Sequence, residues 1–161
     1  SGAALFLVGL LRTSGERLVV ELLLARNYAE ERAVLVTLGE RLAGADVLLT
    51  FNGKSFDWPM VGDRWRRHLL DRHSPLPVPL HFDVLHHARR RWRKQMPDCK
   101  LQTLERLVCR RSRVGDIAGH RIPAAYERFV RTGAADEMEP ILYHNAVDLV
   151  TLLDLAMRVA G

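Results

Sequence analysis

Residues 51–59 read FNGKSFDWP and directly follow DVLLT at positions 46–50. A short apolar run closed by turn residues predicts a buried strand over Asp46–Phe51. Asn52 and Gly53 predict the turn, and a helix is expected from about Ser55 to Leu70. The one carboxylate in the stretch, Asp57, stands between two aromatics just past the strand's end. Ligands of open α/β sheets collect beyond the carboxyl ends of the strands, so Asp57 is a candidate site residue. Gly53-Lys54-Ser55 mimics the tail of a phosphate-binding P-loop. That motif needs a glycine at position 48, where the chain has Leu48, and a nucleotide cradle is set aside on that ground.

Upstream, the apolar runs Leu5–Leu11 and Leu18–Leu24 flank Arg12–Arg17, which contains Ser14-Gly15, and predict an antiparallel hairpin. Tyr28–Ala43 carries apolar residues at 33, 34, 35, 38 and 42, the spacing of an amphipathic helix. Glu30 and Glu31 in its first turn suit the positive end of the helix dipole. Downstream, Ser74–Pro79 is a loop and Leu80–Leu85 a short strand. Helices are expected over His86–Lys94, around Leu101–Val108, over Ala124–Arg131 and over Glu137–Val159, with a loop at Gly115–Pro123. Strands early, helices late and one strand–helix–strand passage between them predict an α/β fold, a mixed sheet flanked by helices.

The chain has 161 residues, a length that predicts one domain over 1–161. Its two cysteines, Cys99 and Cys109, lack a CxxC spacing and are expected as free thiols in a reducing, cytoplasmic setting. Leu5–Leu11 is too short to cross a bilayer and has no basic flank of a signal peptide, so no membrane partner is expected. The net charge of +5 suits a polyanionic partner. Arg89, Arg90, Arg91, Arg93 and Lys94 surround Trp92, a mixture of cations and aromatic suited to single-stranded nucleic acid. Trp65-Arg66-Arg67-His68 is a weaker version of the same pattern. His81, His86 and His87 are scattered beside an arginine run and read as surface or hydrogen-bonded residues.

A second carboxylate, Asp148, lies in YHNAVDLVTLLDLAM (143–157). On a helix, His144 and Asp148 share a face one turn apart. Cleaving a phosphodiester places negative charge on the attacking and leaving oxygens, which two hard cations stabilise when carboxylates from several elements converge.

Taken in order, FNGKSFDWP, HFDVLHHARRRWR, CKLQTLERLVC, GHRIPAAYERFVRTG and HNAVDLVTL resemble the bacterial YprB-like predicted exonucleases, a branch of the DEDD 3′–5′ exonucleases of ribonuclease H-like fold. The resemblance covers essentially the whole chain. It implies that Asp57 and Asp148 bind the metals, two Mg²⁺ or Mn²⁺ ions in an intact site. It also implies that Asn52 and Phe56 shape the turn and meet the substrate's end, and that the Asp83-Val84-Leu85 segment is mostly structural. Lys54 is a candidate phosphate contact. The implied partner is nucleic acid, single-stranded or at a 3′ end.

Two departures stand out. The family's first motif, Asp-x-Glu, has no match here, and it is expected just before SGAALFLVGL, on a strand ahead of Ser1. Glu21, on the second strand, is a poor substitute. The final motif is also altered. Family members place four residues between a histidine base and the last Asp, or three between a tyrosine and that Asp. Here His144 has three between and Tyr143 four. Helical geometry and a near-neutral titration favour His144 as general base, with Tyr143 the alternative and neither the third possibility. The rival reading is a catalytically impaired domain that binds nucleic acid or a protein partner without turnover.

Overall fold

A computed structural model describes residues 3–161. The hairpin forms as expected but is longer. Strand β1 (Leu7–Ser14) pairs antiparallel with β2 (Arg17–Leu24), in register from Leu7 opposite Leu24 to Ser14 opposite Arg17. Only Gly15 and Glu16 make the turn. Gly15 takes φ +61°, the positive φ that a two-residue hairpin loop needs at its first position. The polar residues Arg12–Ser14, expected in the turn, therefore continue the ladder out into solvent.

Helix α1 (Glu31–Ala43) follows a short 3₁₀ turn capped by the Asn27 side chain. Strand β3 (Val47–Thr50) leads through the 51–56 loop into α2 (Asp57–Arg67). Strand β4 (Leu80–Asp83) then pairs parallel with β3, Val47 opposite Leu80 and Thr50 opposite Asp83. Helix α3 begins at once, over Val84–Trp92, two residues before the expected start. The Asp83 side chain accepts the Leu85 N–H, so it caps a helix where the apolar alternation alone predicts more strand. Helices α4 (Leu101–Leu107), α5 (Ile122–Thr132) and α6 (Met138–Ala160) complete the chain. Pro123 sits inside the start of α5, where its missing N–H costs nothing.

The fold is α/β, with small sheets flanked by helices. The expected mixed sheet is divided among the described residues into two two-stranded pieces, β1–β2 and β3–β4. Both rest on one helical layer. Val8 and Leu10 of β1 and Leu48 of β3 pack on a cluster built from Leu35, Leu38 and Leu42 of α1 and Val61 and Trp65 of α2. Gly39 lets Trp65 lie against α1, since a Cβ there would meet the indole ring. A second cluster joins α3, α4 and α6 through Val84, Ala88, Trp92, Leu104 and Leu155, with Phe51 packed against it. A third joins α5 to α6, and there Tyr126 donates its hydroxyl to the Ala25 carbonyl.

Candidate active site on the 51–57 loop and the last helix

The 51–57 loop is held from below by Asp83. This buried carboxylate accepts the Asn52 N–H at 2.7 Å and the Lys54 N–H at 3.2 Å while capping α3. Asn52 adopts φ +61°, a conformation asparagine tolerates better than most side chains. Gly53 is required for space, because a Cβ would strike the Thr50 side chain. The glycine of the false P-loop thus serves a tight turn. The Asp83 carboxylate thus holds the loop and caps α3, within the segment that the resemblance implies is mostly structural.

Asp57 opens α2 at the surface, and no hydrogen-bond or ion-pair partner for it is found among the described residues. The protein mass around its carboxyl pushes its pKa upward. Asp83 adds to that rise and His81 opposes it. Beside it Phe56 is 67% exposed, and Lys54 is exposed too. His81 hydrogen-bonds Thr50 at 2.7 Å and meets the Trp58 ring edge-on. His86 lies 4.0 Å from Asp83, and His87 accepts from Arg90, so the three histidines are engaged separately.

On α6, His144, Asp148, Thr151 and Leu155 line one face. Asp148 is 44% exposed and bound by Arg113, whose Nη2 lies 2.6 Å from Oδ1. Arg113 is itself sealed, 8% exposed, and grips the 2%-exposed Glu105 with two hydrogen bonds of 2.7 Å. Thr151 donates to Glu105 and accepts from Arg111 at 2.9 Å. Burial pushes the Asp148 carboxyl up, Arg113 pulls it down, and Glu105 and Asp116 push it up again. Glu105 is likewise desolvated, but Arg113 and Thr151 hold it below the ordinary carboxylate range.

His144 is buried. Its Nε2 donates to the Gly115 carbonyl at 3.1 Å, and its Nδ1 lies 3.3 Å from Asp116 without hydrogen-bond alignment. Gln102 holds the other Asp116 oxygen at 2.5 Å. Tyr143, by contrast, is exposed. It walls a hollow of about 500 Å³ with Val20, Arg111, Val114, Val147 and Val150.

The charges that act on Asp57 and on Asp148 are different sets, Asp83 with His81 in one case and Arg113, Glu105 and Asp116 in the other. No group of three or more His, Cys, Asp or Glu side chains placed to hold a metal occurs among the described residues. Hard divalent ions take six or more oxygens, several of them anionic. Asp57 offers free oxygens, Asp148 is shared with a guanidinium, and Asp83 spends both oxygens on backbone amides. By themselves these residues fall short of a two-ion site.

Five cations stand on α3 and in the turn after it. Arg89, Arg90, Arg91, Arg93 and Lys94 are exposed, and none has an acidic partner among the described residues. Trp92 is buried in the second cluster, where Arg91 stacks at 5.8 Å from its ring. The Trp65–His68 run does not form a comparable track. Trp65 is core and donates to the Ser74 carbonyl, Arg67 pairs with Asp63, and His68 binds Glu31.

A model of the RNase H superfamily matches residues 1–160 of the chain. The chain belongs to that superfamily. Its members are usually hydrolytic nucleases that use divalent metals and act on nucleic acid, which makes this a nuclease-type domain. It is 34% identical over 164 residues to the uncharacterized protein YprB of Bacillus subtilis, covering 99% of this chain and 38% of that protein's length. The chain thus spans well under half of the relative it matches. No solved structure matches it. Among the described residues no helix is long and apolar enough to cross a membrane, and both cysteines are free.

Sequence reasoning did not single out the buried Glu105–Arg113 pair, Thr151 or Asp116. One signal was there to be read: Thr151 is polar on the α6 face that also carries His144, Asp148 and Leu155.

Proposed function

We propose that this domain belongs to a metal-dependent 3′–5′ exonuclease acting on single-stranded nucleic acid, with Mg²⁺ or Mn²⁺ as its ions. Asp57 and Asp148 supply two of the carboxylates, Asn52, Lys54 and Phe56 meet the strand's end, and the five cations of α3 and the turn after it carry its backbone. His144 or Tyr143 takes the proton from the attacking water. Asp57 carries this reading. It is an accessible carboxylate without a donor or counter-ion among the described residues, at a strand-to-helix junction, on a molecule of charge +5. Burial and the neighbouring Asp83 raise its carboxyl, and perturbed acids of this kind cluster at functional sites.

Strands β1 and β3 sit on the same α1–α2 layer without hydrogen-bonding each other. On this reading the Asp-x-Glu motif that the resemblance implies supplies the other two carboxylates.

The Arg113–Asp148 pair favours a second reading, a domain that binds nucleic acid without turnover. One experiment separates the two. A single strand labelled at its 5′ end is incubated with Mn²⁺ and the longest natural protein containing this chain, or its Asp57→Asn or Asp148→Asn form. Stepwise shortening by the parent alone supports the nuclease. Equal shortening by all three removes these acids from the mechanism, and binding without shortening favours the second reading.

A further inference from the structure

On the nuclease reading, the last motif is covered by a short stretch of chain. The segment Arg113–Asp116 touches both α6 residues assigned to that motif. Arg113 pairs with Asp148, the Gly115 carbonyl accepts from Nε2 of His144, and the Asp116 carboxylate stands 3.3 Å from its Nδ1 without a hydrogen bond. A carboxylate beside a guanidinium at 2.6 Å is electrically satisfied and attracts a divalent ion weakly. A buried histidine whose Nε2 proton is donated to a carbonyl, and whose Nδ1 is faced by a carboxylate rather than by solvent, is closed to an attacking water.

We propose that residues 113–116 are a clasp that holds Asp148 and His144 in a closed state, with Arg113 occupying the place beside Asp148 that a divalent ion needs. Three observations support a clasp over simple packing. The anchor is built and buried: Arg113 is fixed by Glu105, which is fixed by Thr151 of the same helix face. The segment between the anchors is light. Val114 is 93% exposed, and Gly115 takes φ +76° with open space where a Cβ would stand. A second tether, Gln102 to Asp116, comes from α4, so the closed position is set by two elements. Opening frees the Asp148 carboxylate and leaves the Arg113 guanidinium, still held by Glu105, a donor suited to a backbone phosphate.

The test reads metal binding and segment mobility. In Arg113→Gln/Glu105→Gln both buried charges go at once, so no uncompensated ion is left in the core. Mn²⁺ affinity is measured by titration with electron paramagnetic resonance. The double variant is expected to bind about threefold more tightly than the parent, because the guanidinium lost lies 2.6 Å from Asp148 while the carboxylate lost with it reaches Asp148 only through Arg113, and adding Asp148→Asn abolishes the gain. A folded double variant that binds Mn²⁺ no better overturns the clasp. As an independent measure, hydrogen exchange of the 110–118 peptide should quicken at least threefold when a saturating single-stranded oligonucleotide is added; unchanged exchange in a complex shown to form also overturns it. An oligonucleotide that does not bind at low salt defeats the nuclease reading instead, while the Mn²⁺ comparison still decides the clasp.

Discussion

Glu31, the first residue of α1, and Arg64 of α2 face each other through two hydrogen bonds of 2.6 Å, with the Glu31 side chain only 3% exposed. The same carboxylate accepts the Leu5 N–H at 2.7 Å and contacts His68 at 2.9 Å. One acid therefore ties the chain leading into β1 to α1 and α2. Burial alone would raise its pKa, but Arg64, His68 and the Leu5 amide together bring it down from 4.5 to about 2.

Glu31→Ala should cost about 3–5 kcal/mol, the usual consequence of leaving a buried partner without its counter-charge. The acid dependence has a definite sign. The folded carboxyl holds its proton less tightly than the unfolded one, so its contribution is complete above pH 4.5 and disappears as pH falls toward about 2. Urea midpoints of the parent and Glu31→Ala measured across that range should converge at the acid end.

Asp83, only 2% exposed, serves three backbone amides at once, those of Asn52, Lys54 and Leu85. Asp83→Ala leaves all three without their acceptor and should cost about 2–4 kcal/mol in urea unfolding. Asp83→Asn, which keeps an acceptor oxygen, should lose about half as much.

Gly9 of β1 lies under α6, where an added Cβ would run into the Asn145 side chain and crowd Leu149. Gly9→Ala should destabilise by about 1–3 kcal/mol. Asn145→Ala in the same chain should return most of that loss. A double-mutant cycle on thermal unfolding measures it, and additive effects would mean that α6 shifts freely instead.

Replacing Arg89, Arg93 and Lys94 together by Gln should leave the unfolding free energy within about 1 kcal/mol, since these side chains are exposed. Single-strand binding should weaken. Its salt dependence should flatten by about 0.7 in log–log slope for each phosphate no longer neutralised. Fluorescence anisotropy at several salt concentrations reads both quantities, and an unchanged slope would remove α3 from the nucleic-acid track.

Much of the architecture was legible because it follows local rules. The hairpin, the β3–α2–β4 passage and the long last helix show in apolar spacing, and their boundaries shift by only a few residues. The Asp57 loop was legible too, because Asn52 and Gly53 declare a turn. What escaped depends on partners remote in the chain. Glu31 reads as a helix-dipole acid until Arg64, 33 residues on, is seen to cover it. Arg113 reads as one more surface cation until it meets Glu105 and Asp148. His144 reads as a free base until the 113–116 segment is laid across it. Polar side chains gain their meaning from neighbours that periodicity does not encode.

The division of the sheet has a practical consequence. Strands β1 and β3 each keep one flank without a strand partner among the described residues, and open flanks recruit other chains. Preparations of this chain at high concentration should therefore self-associate edge to edge, and a lysine placed on the open flank of β1 or β3 should restore monodispersity.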